Sequence, residues 1–263
     1  MKKLLLFMLF LSFTVANAQY NRPAETLTNK TLLKDYFLQH QELADTLLQK
    51  IKNGKVIIEF TVDESGQTSD FKIVKSLTPE ADQEAIRMVK NLIWLPTTKN
   101  GNPMLDKQEI EVPFHYKNLQ RLRSKGFARP LEFTDYPVSN SQNIYKFAEM
   151  EKAPVPVLKN SMPLNQYIQS NLNYPEEAFR RSISGTVSLE FVVEKNGLPS
   201  NIIVVASVGG GCDQEAIRLL QSIQWMPAIK QDSLVRSKNH LDISFNLGDN
   251  HMQNIPNRQG TSF

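Results

Sequence analysis

The chain has 263 residues, one cysteine and a formal net charge of +3. A single cysteine excludes a disulfide framework, so stability must come from hydrophobic burial. A charge this near neutrality gives no ground for nucleic acid or an anionic membrane surface as a partner.

At the N-terminus, Lys2 and Lys3 precede an apolar run from Leu4 to Val15, and then Ala16-Asn17-Ala18. This is the layout of a secretory signal peptide over residues 1–18, with cleavage after Ala18. The rival reading is a membrane anchor, which would leave the chain at the inner membrane. A helix of that run spans roughly 18 Å, whereas the hydrocarbon core is about 30 Å thick. The expected mature chain starts at Gln19 and is exported. Losing the segment removes Lys2 and Lys3 but no acid, so much of the pI near 8.8 belongs to the leader.

The next feature is an internal repeat at an offset of 131 residues. Gly54-Lys55-Val56 falls on Gly185-Thr186-Val187, and Glu59-Phe60 on Glu190-Phe191. Gly66 falls on Gly197, and Asp82-Gln83-Glu84-Ala85-Ile86-Arg87 on Asp213-Gln214-Glu215-Ala216-Ile217-Arg218. Trp94 and Pro96 fall on Trp225 and Pro227. From Gly54 to Thr98, 17 of 45 positions are identical without a gap, which makes a duplicated domain. Two copies at this spacing are tandem domains and not a solenoid.

Within each copy the elements follow from periodicity. A helical segment comes first, read as Leu32 to Ile51 in copy one. In copy two it runs from Leu164 to Leu172, breaks at Pro175 and resumes to about Ile183. Val56, Ile58, Phe60 and Val62 then alternate with more polar residues, the pattern of a strand with one buried face. Glu64-Ser65-Gly66 and Lys195-Asn196-Gly197 turn the chain into a second strand, about Asp70 to Ser76 and Asn201 to Ser207. Thr78-Pro79 is an N-cap and N1 pair. Ala81, Ala85, Val89 and Leu92 form the apolar stripe of the helix it opens, matched by Cys212, Ala216, Leu220 and Ile223. A last strand alternates Ile110, Val112, Phe114 and Tyr116, and in copy two Leu241, Ile243, Phe245 and Leu247.

The expected fold class is therefore α+β. It has two small domains, 30–117 and 161–248, each a strand–strand–helix–strand unit. A helix packs on one face of an antiparallel sheet, and a further helix precedes it. Residues 118–160 are read as a proline-punctuated linker without sustained periodicity, in which Arg121, Arg123, Lys125 and Arg129 form a solvated stretch. Residues 249–263 are read as a polar, disordered tail.

Copy two carries Tyr174-Pro175-Glu176-Glu177-Ala178, Gly185-Thr186-Val187, Phe191-Val192-Val193, Gly197, Asp213-Gln214-Glu215-Ala216, Trp225 and Pro227. This series resembles the TonB C-terminal domain: YPxxA, a GxV strand, a turn glycine, a DxEA helix, then W-x-P. Copy one keeps all but the first part, since Leu43-Ala44 stand where Tyr-Pro would be. The resemblance implies a periplasmic module of the cell envelope. Such a module binds extended segments of outer-membrane transporters by strand addition at a sheet edge, in the service of energy-coupled transport. A typical member also has a spanning N-terminal helix and a long Pro-rich spacer, and neither is read here. The alternative is an envelope scaffold that uses the same edges for other partners or for self-association. The expected partner-binding edge is the last strand of copy two: Leu241, Asp242, Ile243, Ser244, Phe245, Asn246 and Leu247. Asp242, Ser244 and Asn246 would touch the guest while the apolar residues hold the core. Pro113, aligned with Ser244, implies a blunted edge in copy one.

No catalytic constellation, cofactor motif or metal site is read. Cys212 opens a helix after Gly209-Gly210-Gly211, where a dipole could lower a thiol pKa. Its counterpart is Ala81, which makes it a small core position instead. The glycines lack the Lys-Ser/Thr of a phosphate loop. His40, His115, His240 and His251 have no metal-ligand spacing. Asp82, Glu84, Asp213 and Glu215 are read as first-turn acids that complement the helix dipole. Trp94 and Trp225 are read as core plugs.

Overall fold

The computed structural model describes residues 21–248. The predicted leader, residues 1–18, and the predicted tail, 249–263, lie outside the described residues. Copy one comprises β1 (Glu25–Thr26), α1 (Lys30–Gln39), α2 (Asp45–Ile51), β2 (Asn53–Val62), β3 (Thr68–Lys75), α3 (Pro79–Asn91), β4 (Trp94–Leu95), β5 (Thr97–Lys99), β6 (Asn102–Met104), β7 (Asp106–His115) and α4 (Tyr116–Ser124). Between the copies lie β8 (Ile144–Tyr145) and β9 (Val155–Val157). Copy two comprises α5 (Leu164–Asn171), α6 (Glu176–Arg180), β10 (Gly185–Val193), β11 (Pro199–Ala206), α7 (Cys212–Ser222), β12 (Gln224–Met226), β13 (Ala228–Lys230) and β14 (Ser233–Phe245).

The α+β architecture is as expected. The sheets run β3-β2-β7 in copy one and β11-β10-β14-β13 in copy two, all antiparallel along these paths. Alternation decides which face is buried: Val56, Ile58, Phe60 and Val62 enter one core, and Val187, Leu189, Phe191 and Val193 the other. The stripes of α3 and α7 close these cores, with Ala81, Ala85, Val89, Cys212, Ala216 and Leu220 all buried. Thr78 Oγ1 accepts the Ala81 N–H at 3.2 Å, the expected cap of α3.

Several local expectations are corrected. The segment Leu32 to Ile51 is not one helix but α1 and α2, with a break at residues 40–44. The second strands begin earlier than expected, at Thr68 and Pro199. Tyr116 opens α4 and does not continue β7. Leu247 lies beyond the end of β14 and is 40% exposed, so it does not hold the core. The stretch 118–160 is not featureless, because it contains most of α4 and both β8 and β9. Arg123 in α4 is no solvated linker charge. Both Asp45 carboxylate oxygens accept from its Nη1, at 2.8 and 2.9 Å. Strands upstream of residues 30 and 161 also pair onto each copy. β1 pairs with the Trp94 segment, and β9 pairs with the Trp225 segment.

The helix break in copy one has a physical cause that the missing proline conceals. Glu84 Oε1 accepts the Glu42 N–H at 2.7 Å, and Arg87 donates to His40 O at 2.6 Å and to both Glu84 oxygens. Copy two repeats this at Asn173 N–H to Glu215 Oε1, 2.6 Å, and Arg218 to Asn171 O, 2.7 Å. The Glu–Arg pair therefore satisfies backbone groups that a helix end leaves without partners. The aspartate of the same motif does another task. Asp82 Oδ2 accepts from Ser76 Oγ and Oδ1 from Leu77 N–H, as Asp213 does from Ser207 and Val208. The identical hexapeptide thus ties helix, preceding strand and upstream break together. Favourable placement near a helix dipole does not by itself explain it.

Candidate partner-binding edge

β14 is paired with β10 over nine positions, from Gly185 opposite Phe245 to Val193 opposite Ser237. On its other side the strand differs along its length. β13 covers Ser233 to Val235, and β8 pairs in parallel with Arg236 and Ser237. From Lys238 to Phe245 no strand among the described residues pairs with that outer side. The edge expected over Leu241 to Leu247 is therefore open over Lys238 to Phe245, closed at its root, and ends before Asn246 and Leu247.

Side chains along the edge divide as alternation requires. Leu241, Ile243 and Phe245 are buried in the copy-two core. Asp242 and Ser244 lie on the exposed face, but each is tied to β10: Ser188 Oγ donates to Asp242 Oδ1 at 2.6 Å, and the hydroxyls of Thr186 and Ser244 are 3.1 Å apart. Lys238 pairs with Glu190 at 2.7 Å in the same way. These cross-strand ties stiffen the strand. They leave main-chain groups, more than side chains, to address a guest.

The equivalent strand of copy one is arranged differently. β7 pairs with β2 in the same register, Lys55 opposite Pro113 matching Thr186 opposite Ser244. Its flank carries α1 and α2. Gln41 Nε2 donates to Pro113 O at 2.9 Å, so this carbonyl turns away from β2. The N and C=O of one strand residue point the same way, so Pro113 costs the ladder no hydrogen bond. By the shared register, Ser244 N–H and C=O face the open side of β14.

The other sequence candidates find structural explanations. Cys212 is fully buried, and burial followed by the nearby Asp213 carboxylate pushes its thiol pKa up, the reverse of an activated nucleophile. Gly209, Gly210 and Gly211 all have left-handed φ. A Cβ on Gly210 would lie 3.1 Å from Ala178 Cα, and one on Gly211 3.0 Å from Pro175 Cβ. The glycines let the loop approach the Tyr174-Pro175 corner. Tyr174 in turn donates to Ile183 O at 2.5 Å and packs its ring edge-on against Phe245, at the end of the candidate strand. His40, His115 and His240 stand apart, and His251 lies outside the described residues. Among the described residues no group of three or more His, Cys, Asp or Glu could hold a metal. Nor is any described helix long and apolar enough to cross a membrane. Trp94 and Trp225 are buried, as core plugs should be. A cavity of about 670 Å³ lies between the copies, reaching β14 only at Leu234; of the cations that line it, Arg87 and Arg123 are paired with Glu84 and Asp45, and Lys195 Nζ donates to Ser139 O at 2.8 Å.

Residues 47–118 and 170–247 match the family model described as Gram-negative bacterial TonB protein C-terminal, which together cover more than half of the chain. No curated protein matches the chain.

Proposed function

The chain belongs to the TonB C-terminal family, in two tandem copies, and from that premise we propose that it is a periplasmic partner of outer-membrane transporters. It binds their extended segments by strand addition on β14, as part of energy-coupled transport. The observation that carries the reading is the asymmetry of the last strands. Among the described residues both β14, from Lys238 to Phe245, and β7 lack a strand on the outer side, but β7 has its Pro113 O taken by Gln41 and lacks the residue-113 N–H that Ser244 supplies on β14. Unpaired N–H and C=O groups in a row are a template for a guest strand. The family is one of protein-interaction domains, and Cys212, buried with its thiol pKa raised, gives a nucleophilic reading no support.

The test is a photo-cross-linking residue at Ser244 of the full chain in the envelope of its host. Adducts with outer-membrane transporters support the reading. Adducts confined to other envelope proteins, or to a second copy of the chain, would replace it with the scaffold reading.

A further inference from the structure

The two copies are similar in sequence but not in burial, and the differences cluster. Leu38, Gln39 and His40 at the end of α1 are buried, whereas their counterparts Gln169, Ser170 and Asn171 are exposed. Pro199, Ser200, Asn201 and Ile202 at the start of β11 are buried, but Ser69 and Asp70 are exposed. Arg236 is 3% exposed while its counterpart Leu105 is 53% exposed. The buried members of these pairs face one another across the two copies.

Their contacts satisfy helix ends reciprocally. Asn91 O, at the C-terminus of α3, accepts from Arg236 Nη2 at 2.5 Å and from Asn201 Nδ2 at 3.0 Å. Gln221 O, near the C-terminus of α7, accepts from Gln39 Nε2 at 2.9 Å. Last-turn carbonyls lack intrahelical partners and carry the negative end of the dipole, so a guanidinium suits the first. Asn201 Oδ1 also accepts the Ile93 N–H at 2.8 Å, and His40 Nε2 donates to Pro199 O at 3.1 Å. Behind them, Glu194 accepts from Arg236 Nε and Nη2 and from Ser200 Oγ, a buried and fully bonded ion pair. Arg236 also donates to Gln142 O, next to β8. Buried polar groups are tolerated only when paired, so neither surface suits an apolar neighbour, and each supplies the partners that the other needs.

We infer that copy one is the intramolecular partner of copy two and not a second binding module. It covers the start of β11 and, through Asn91 and Arg236, holds the root of the strand whose open half is the candidate edge. The tandem then presents one guest-binding edge per chain. The interface part stands by itself, while the count of edges rests on the strand-addition reading.

Two measurements on the full chain test it. The first is amide hydrogen exchange in rising urea, read separately at Val56–Val62 and Val187–Val193. One unit requires coincident midpoints in the wild type. Separated midpoints should appear in Asn201→Asp, which replaces the amide donor by a carboxylate facing Asn91 O. Because that variant could lose its fold, the double variant Glu194→Met with Arg236→Met serves as a second cut of the same link. Separate midpoints in the wild type, or coincident ones in both variants, overturn the inference. The second measurement compares photo-cross-linking from Pro113 and from Ser244. Adducts from Ser244 alone agree with a single edge, and equal yields from both overturn it. Absence of adducts at both positions sinks the strand-addition reading and leaves the exchange result to decide the interface.

Discussion

The carbonyl oxygen of Trp225 lies 2.3 Å from where a Cβ on Gly197 would stand, and the Trp225 N–H donates to Gly197 O at 2.9 Å. Gly66 and Trp94 O repeat the close approach at 2.2 Å. The turn glycine and the tryptophan of the family motif are thus one feature: the hairpin turn docks on the backbone of the Trp segment.

Gly197→Ala should therefore be among the most damaging single-methyl changes in copy two. Its φ is +77° and the added methyl meets backbone that cannot swing away. The expected loss is on the order of 3 kcal/mol, read as a lowered urea midpoint. Alanine at Gly101, whose methyl meets nothing within 4 Å, isolates the cost of positive φ alone and should lose roughly 1 kcal/mol.

Cys212 should react slowly. Its thiol is buried and burial raises its pKa, so little thiolate forms near neutral pH. Alkylation of the native chain should be on the order of 100-fold slower than in urea. Cys212→Ala should cost about 1 kcal/mol or less, because Ala81 fills the same site in copy one. Fast native alkylation would contradict the burial.

His40 should make the chain acid-sensitive. Burial, the largest influence, lowers its pKa to about 4 against Glu194, which favours the charged form, and with Arg87, which opposes it. Its Nε2 donates to Pro199 O, and Nδ1 has no partner for a second proton. The unfolded imidazole binds its proton near pH 6.5, so stability is full above that value and falls as pH drops towards 4. The loss across this window is about 3 kcal/mol. Denaturant titrations at pH 7 and pH 4.5 should differ less in His40→Gln than in the wild type. An unchanged difference would assign the acid sensitivity to other groups.

Ser244→Pro should separate folding from binding. Its N–H faces the open side, so proline removes no main-chain bond to β10, only the hydroxyl contact with Thr186, and Pro113 already occupies the matching site. Stability should change by under about 1 kcal/mol. Cross-linking from Asp242 to the guest should fall about tenfold, the effect of one lost main-chain bond with its steric penalty. Retained cross-linking in the folded variant would place the guest elsewhere.

By itself the sequence determined the duplication, the α+β class, the buried face of each strand and the stripe of each main helix. Those properties are local. Alternation and helical period report burial against a copy's own core, and each repeat supplies an independent reading of the other. It also pointed to β14, because Pro113 against Ser244 is a difference visible in one alignment. Tertiary structure alone decided the rest. The break at residues 40–44 has no proline to announce it, because Glu84 and Arg87 impose it from another helix. β8 and β9 are too short for a period, and they exist because sheet edges in copy two hold them. Closure of the β14 root, and the burial of Arg236, Glu194, His40 and Asn201 between the copies, depend on partners far away in sequence. A polar side chain reads as surface until the chain places its partner opposite it, and only the fold does that.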